Sequence, residues 1–404
     1  MKTIDKFLYF TGFVFQGAST FLILIFASYF FSISEFGTLS YLIALLFFFI
    51  QVTGLGIHFS ALYYESKTNS NVFTFYHFIN SLTSSFLISS VIYFSLSYYF
   101  DNTNELFNRF KIFILPIGVF SAVNKTFYMQ INAKRMFGFY GGVTILKGVV
   151  VLIGIVISFI FKLSLIHYLY LTYLIPETVV FLINLSFSIF HFSKISFSRI
   201  LKVFFIDFFY GLKSFWGAMF LETMTKVDVL MLGVLQSEFY VGLYGFISIF
   251  SDLILMFSTF LRSFVNPQIT LNYKNSKFDF KMFIKKKLKW SIKINFIFTL
   301  IISSCFFIGL FYIPNLFKFQ ECLKVLFIMF IVMIISSPYF ILFQFFGQIG
   351  KPLVQSNLFL ILFLSNLVLN FILVPFYNMY GAVIATGISY LVYISLFNYK
   401  FNRL

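Results

Sequence analysis

The chain has 404 residues, of which 60% are hydrophobic and only 10% charged, with 67 phenylalanines and a formal net charge of +16. A soluble domain carries about 25% charged residues, so too few polar side chains exist here to cover a water-facing surface, and the composition identifies an integral membrane protein. The positive balance belongs to basic loops beside the membrane rather than to a nucleic-acid footprint, and no nucleic-acid partner is expected.

A helix needs about 20 apolar residues to cross the hydrocarbon core. Twelve stretches meet that need: 7–31, 39–64, 72–99, 110–133, 139–161, 164–190, 203–235, 240–264, 290–313, 323–345, 354–377 and 380–399. Lys2 and Lys6 precede the first and give it the look of a signal peptide. It runs on to Phe31 without an A-x-A cleavage pattern, so it reads as a retained span. The connections are short and leave no room for a soluble domain. With the N-terminus in the cytoplasm, nineteen lysines and arginines fall on the cytoplasmic side and five (Arg109, Lys111, Lys162, Lys318, Lys324) on the other. The positive-inside bias then places both termini in the cytoplasm.

Spans four and five carry Lys125 and Lys147 near their middles, and span six carries Glu177 directly after Pro176. Span seven holds Lys213, Glu222, Lys226 and Asp228, and span eight holds Asp252. A charge at a lipid-exposed helix centre costs roughly 2.5–3.5 kcal/mol on insertion scales, so these residues are expected to face a bundle interior. Glu222 and Lys226 are four residues apart and share a helix face, and Asp228 has the option of a lysine on another helix. Purely structural pairing is therefore an alternative to function for each of them. Lys213 and Lys226 are 13 residues apart, about 20 Å along a helix. A carboxylate beside a proline kink, as at Glu177, suits an ion or proton site.

Further along, "FDFKMFIKKKLKWSI" alternates Phe280, Ile284 and Leu288 on one helical face with Lys281, Lys285 and Lys289 on another. A basic amphipathic segment near residues 274–289 is expected at the cytoplasmic leaflet. Gly381, Ala385 and Ser389 form a small-residue stripe for close helix packing. Cys305 and Cys322 make no disulfide framework and no metal site. His58, His77, His167 and His191 are scattered without metal-ligand spacing. Gly54-x-Gly56 lies inside an apolar span and is no nucleotide fingerprint. No cofactor is expected.

An internal repeat is visible. Ser34-Glu35-Phe36 and Ser237-Glu238-Phe239 are 203 residues apart, each in the short outer connection after the first span of its half. Gly37 and Gly242 follow them, and Gly17-Ala18 and Gly217-Ala218 precede them. Six spans per half return the chain to the same side, so the halves are related by an axis along the membrane normal. The expected architecture is all-α, with about 12 transmembrane helices in two parallel-related six-helix bundles, residues 1–202 and 203–404, around a central cavity.

Four stretches carry a resemblance to a known family: "SISEFGTLSYLIALLFFF", "KVDVLMLGVLQSEFYVGLYGFIS", "FVNPQI" and "NLVLNFILVPFYNMYGAVIATGISYL". They resemble the O-antigen flippases (Wzx-type) of the multidrug/oligosaccharidyl-lipid/polysaccharide exporter (MOP) superfamily. The motifs are loose patterns spread over the whole span plan. The resemblance implies movement of an undecaprenyl-pyrophosphate-linked oligosaccharide from the cytoplasmic to the periplasmic leaflet of a bacterial inner membrane. It also implies two bundles around a cavity, and the polysaccharide polymerase machinery as a partner.

Such a head group cannot cross hydrocarbon unaided, because each unsatisfied polar group costs several kcal/mol there. Cations in a wet cavity are needed, and Lys125, Lys147, Lys213 and Lys226 are the candidate substrate-binding residues. Glu177, Asp252, Glu222 and Asp228 are the candidate residues for coupling to H+ or Na+. No ATP-binding loop appears, and no catalytic residues are expected. A multidrug exporter would want an acidic or aromatic cavity, and a flippase for a lipid-linked peptidoglycan precursor is a closer rival among transporters. An O-antigen polymerase, the enzyme alternative, would place a large catalytic loop in the periplasm, where this chain has only short connections.

Overall fold

The structure, a computed structural model, describes residues 3–68, 72–99, 105–190, 197–273 and 280–404. All regular structure among them is helical. The protein is an all-α integral membrane protein. Ten helical stretches are long and apolar enough to cross a membrane. The last of them, α14 (Pro352–Asn402), is two helices joined at Asn378, whose φ of 48° breaks the helical run. With α14 counted as two and the 39-residue α9 (Phe197–Leu235) included, the helices match the hydropathy pattern of twelve.

The chain divides into two compact units, and it passes between them inside helices. Unit one comprises Met1–Phe26 and Leu45–Met219; unit two comprises Ala27–Ala44 and Phe220–Leu404. The transfers fall within α1 (Thr3–Phe30), α2 (Ile33–Gly54) and α9.

Unit one contains α3 (Ile57–Thr68), α4 (Val72–Tyr99), α5 (Glu105–Ala133), α6 (Phe137–Ile160), α7 (Leu165–Leu169) and α8 (Ile175–Phe190). Its core is apolar where α5, α6 and α8 meet, through Phe127, Ile131, Val143 and Val180. The stretch expected as one span over 39–64 is broken. Leu55 and Gly56 take φ values of 42° and 71° between α2 and α3. Gly56 is required there twice over, since a Cβ would also stand 2.4 Å from the Gly211 carbonyl oxygen of α9. Before Pro176 the helix widens into a π turn over Tyr170–Leu174. Proline has no N–H for the carbonyl four residues back, and the wider turn accommodates that loss.

Unit two contains α10 (Glu238–Tyr273), α11 (Phe280–Tyr312), a 3₁₀ stretch (Pro314–Cys322), α12 (Leu323–Phe340), α13 (Phe345–Gln348) and α14. Of the expected amphipathic segment, residues 274–279 lie outside the described residues. The remainder forms the first turns of α11, with Ile284 buried and Lys281, Lys285 and Lys289 exposed. The stripe Gly381, Ala385 and Ser389 is buried along α14.

The repeated triplets meet in unit two. Glu35 closes a capping box on α2: its carboxylate accepts hydrogen bonds from the Ser32 N–H at 2.9 Å and the Ser32 hydroxyl at 2.8 Å. A Cβ on Gly37 would lie 1.9 Å from the Glu238 carbonyl oxygen, and one on Gly242 would lie 2.1 Å from that of Ile33. The two glycines thus let the starts of α2 and α10 pack backbone against backbone.

Candidate functional site

In unit two, the site forms around Asp228 on α9. α9 is almost wholly apolar after this residue, so the carboxylate enters the packed interior, where only 6% of the residue is exposed. Its partners are all neutral. Tyr244 on α10 donates to Oδ2 at 2.5 Å and Thr386 on α14 donates to the same oxygen at 2.5 Å. Asn370 donates to Oδ1 at 2.7 Å. Asn366 and Asn370, one turn apart on α14, bond each other at 2.9 Å, and Asn366 also donates to Thr386 at 3.2 Å. The option of a lysine partner is replaced by hydroxyls and amides. These donors stabilise the carboxylate without cancelling its charge.

Asp228, Tyr244, Ser248, Ser251, Asp252, Thr386 and Tyr390 line a small cavity of about 10 Å³, room for one water-sized occupant. Next to Asp228, the Asn370 Oδ1 is buried without a hydrogen-bond partner. One carboxylate with hydroxyl and amide oxygens is a donor set suited to a hard cation or a proton. Among the described residues, no group of three or more His, Cys, Asp and Glu stands ready to hold a metal ion, so a site here relies on neutral oxygens.

Asp252 on α10 lines the same space and pairs with Lys226, Nζ to Oδ2 2.6 Å. The side chains are 13% exposed for Lys226 and 31% for Asp252. Glu222, one turn before Lys226, is exposed and attracts the half-buried Arg262 of α10 electrostatically.

Unit one has a corresponding pair. Lys147 on α6 meets Glu177 on α8 at 2.5 Å, with side chains 20% and 14% exposed. Asn124 of α5 donates to the other Glu177 oxygen at 2.6 Å and to the Glu177 carbonyl at 2.9 Å. Glu177 is held where α8 leaves the π turn, so the irregular backbone before Pro176 sets where the carboxylate stands. Lys125, one residue after Asn124, donates to Gln51 of α2 at 2.9 Å. Lys213 on α9 is exposed.

Unit one also buries Asp207 of α9 against His77 of α4, and Lys134 against Glu65 at 3.6 Å. Burial pushes the Glu65 carboxyl up and the Lys134 ammonium down, each opposed by the other's charge. Tyr244, Asn366, Asn370, Thr386, Asp207 and His77 are functional candidates that span-by-span charge reading passed over. Asn366 and Asn370 at i, i+4 in an apolar span were the available sign. His191 lies outside the described residues.

No family model matches the chain, and no curated protein matches it in sequence. Solved structures do match its fold. The lipid II flippase MurJ in an inward closed conformation superposes with a TM-score of 0.70 at 17% identity, over 98% of this chain and 87% of that one. The MATE multidrug transporter DinF-BH, in a complex, gives 0.62 at 17% identity, over 98% and 95%. An inward-facing multidrug resistance MATE family transporter of the MOP superfamily gives 0.62 at 14% identity, over 95% and 93%. The chain has the fold of these membrane transporters.

Proposed function

We propose that the protein is a flippase that carries an undecaprenyl-pyrophosphate-linked oligosaccharide from the cytoplasmic to the periplasmic leaflet of a bacterial inner membrane, by alternating access coupled to H+ or Na+. In this reading residues 1–202 and 203–404 act as two bundles around a central cavity, both termini are cytoplasmic, and the product passes to polysaccharide polymerase machinery. The observation that carries the proposal is a lysine–carboxylate pair in each unit, Lys147–Glu177 and Lys226–Asp252, neither fully closed to its surroundings. A phosphate competes with the carboxylate for each ammonium group, and lysine binds phosphate as a point charge. Lys125, which donates to Gln51, and the exposed Lys213 add cationic character in unit one. Asp228, whose charge no cation cancels, takes the coupling ion. Glu222 lies on the same helix as Lys226 and is a further acid for that role.

A second reading is favoured by the likeness to the lipid II flippase structure: the cargo is a lipid-linked peptidoglycan precursor, which presents the same pyrophosphate. The likeness to the multidrug transporter DinF-BH supports a multidrug exporter, which the lysines disfavour. Complementation separates the three. The flippase reading expects restored surface polysaccharide in a strain lacking its O-antigen flippase, and loss of that rescue on replacing Lys147 and Lys226 with alanine. Rescue only of a strain lacking its peptidoglycan precursor flippase selects the second reading. Rescue of neither, with drug resistance conferred instead, overturns both.

A further inference from the structure

Unit one buries an ionisable cluster that plays no part in the transport reading above. It lies where α3, α4 and α9 meet. Asp207 on α9 is 0% exposed and His77 on α4 is 1% exposed. The Asp207 Oδ1 accepts a hydrogen bond from the Ser60 hydroxyl of α3 at 2.7 Å. Its Oδ2 accepts one from the Asn80 amide at 2.8 Å and faces His77 Nδ1 at 3.0 Å. The other ring nitrogen, Nε2, is buried without a hydrogen-bond partner, as is the Asn80 Oδ1.

This geometry fixes the chemistry. The carboxylate already accepts from Ser60 and Asn80, and the ring tautomer that carries its proton on Nδ1 supplies a third donor. Nε2 of the neutral ring is then a lone pair facing the protein interior. A proton added there turns a singly negative cluster into a neutral His–Asp ion pair. The charged groups around the ring are Asp207 on α9, Glu65 on α3, which attracts His77 electrostatically, and Lys134 on α5, which is held by Glu65 at 3.6 Å and Thr74 at 2.5 Å.

The cluster also has mechanical leverage. Asp207 joins α9 to α3 and α4, and nearby contacts follow the same line: Gly211 packs on Leu55 and Gly56, and Tyr210 stacks on Tyr63 at 5.0 Å. Phe197 to Met219 is the part of α9 that belongs to unit one, and the helix leaves that unit at the next residue.

We propose that His77, with Asp207 as its counterion, is a proton-binding site distinct from the Asp228 site, and that its loading tightens the grip of α3 and α4 on the Phe197–Met219 stretch of α9. The site takes up one proton at Nε2 and releases the same proton, with no other bond made or broken.

The test uses full-length protein in lipid nanodiscs with 15N-labelled histidine. The resonance missing from His77→Gln identifies His77 among the four histidines. It is expected to move with pH as Nε2 takes up its proton. Asp207→Asn should lower its midpoint by about one pH unit or more, a tenfold loss of proton affinity. Ser60→Ala, which strips one donor from the carboxylate and leaves its charge, should raise the midpoint by a few tenths of a unit. Hydrogen exchange over 197–219, corrected for the intrinsic pH effect, should slow as His77 is protonated and lose that dependence in His77→Gln. A His77 resonance that does not move with pH overturns the proposal. So does a midpoint that neither variant moves, or an unchanged pH profile of exchange in His77→Gln. If Asp207→Asn does not fold, Asp207→Glu and Ser60→Ala carry the same comparison. None of these readouts involves a transported substrate, so their failure is separable from failure of the flippase reading.

Discussion

Glu177 and Asp252 each face a lysine at 2.5–2.6 Å, whereas the partners of Asp228 among the described residues are neutral: Tyr244, Thr386 and Asn370, with Asn366 beside them. The two arrangements stabilise a carboxylate in apolar surroundings by different means. A lysine cancels the charge and leaves a neutral pair, and an incoming anion exchanges with the carboxylate on the same ammonium group. Hydroxyl and amide donors supply no countercharge, and a proton or metal cation completes what they begin. The difference teaches where each ligand belongs: the anionic head group at the lysine pairs, the coupling ion at Asp228.

The largest effect is expected at Asp228. Asp228→Asn keeps the size and most of the hydrogen bonds and removes the charge. Cation-driven transport in proteoliposomes should fall more than about 100-fold, since an outer-shell change alone costs 10–100-fold in cation affinity, while substrate binding without a gradient stays. A variant that still responds to the imposed gradient breaks the comparison.

Lys147→Ala and Lys226→Ala come next. Each removes a charge-assisted contact of about 1.5–3 kcal/mol, roughly ten- to hundredfold in transport. Each also leaves its carboxylate unpaired. The double variants Lys147→Ala/Glu177→Ala and Lys226→Ala/Asp252→Ala should therefore recover thermal stability and not transport. Recovery of both would make the pairs structural staples. Thr386→Val sharpens the other side. It deletes one neutral donor to Asp228, about 1 kcal/mol, so the half-saturating concentration of the coupling ion should shift about fivefold with the maximal rate preserved.

Much of this was legible in the sequence. Apolar runs of 20 residues and more marked the helices, because a membrane leaves the chain few alternatives. The intramembrane charges stood out for the same reason, but their pairing did not: spacing offered Glu222 to Lys226, and the structure gives it Asp252. The break at Leu55-Gly56 was hidden, since two short helices in series keep one unbroken apolar pattern. The Asp228 network was half hidden: the aspartate stood out, but Tyr244, Asn366, Asn370 and Thr386 are uncharged and scattered over 142 residues. Asp207 sat at a span end, where a charge raises no question, and His77 looked isolated because its partner is 130 residues away in the chain. The repeat of Ser-Glu-Phe was visible at once. Its physical cause needed the packing of Gly37 and Gly242.

Lys213 gives the smallest and most discriminating effect. It shares α9 with Lys226, and sequence spacing treats the two alike, yet Lys213 is exposed where Lys226 is paired at 2.6 Å. An exposed cation is screened by its surroundings and contributes through long-range attraction more than through a bond. Lys213→Gln should therefore slow transport by no more than about twofold at physiological salt, in line with surface substitutions of about 0.5 kcal/mol. The deficit should grow as ionic strength is lowered and vanish as it is raised. Lys226→Ala should show the opposite insensitivity, because a partly buried contact is screened less. A loss at Lys213 as large as that at Lys226, and equally indifferent to salt, would mean that both lysines grip the head group directly, and pairing with an acid would no longer be what distinguishes a binding lysine in this protein.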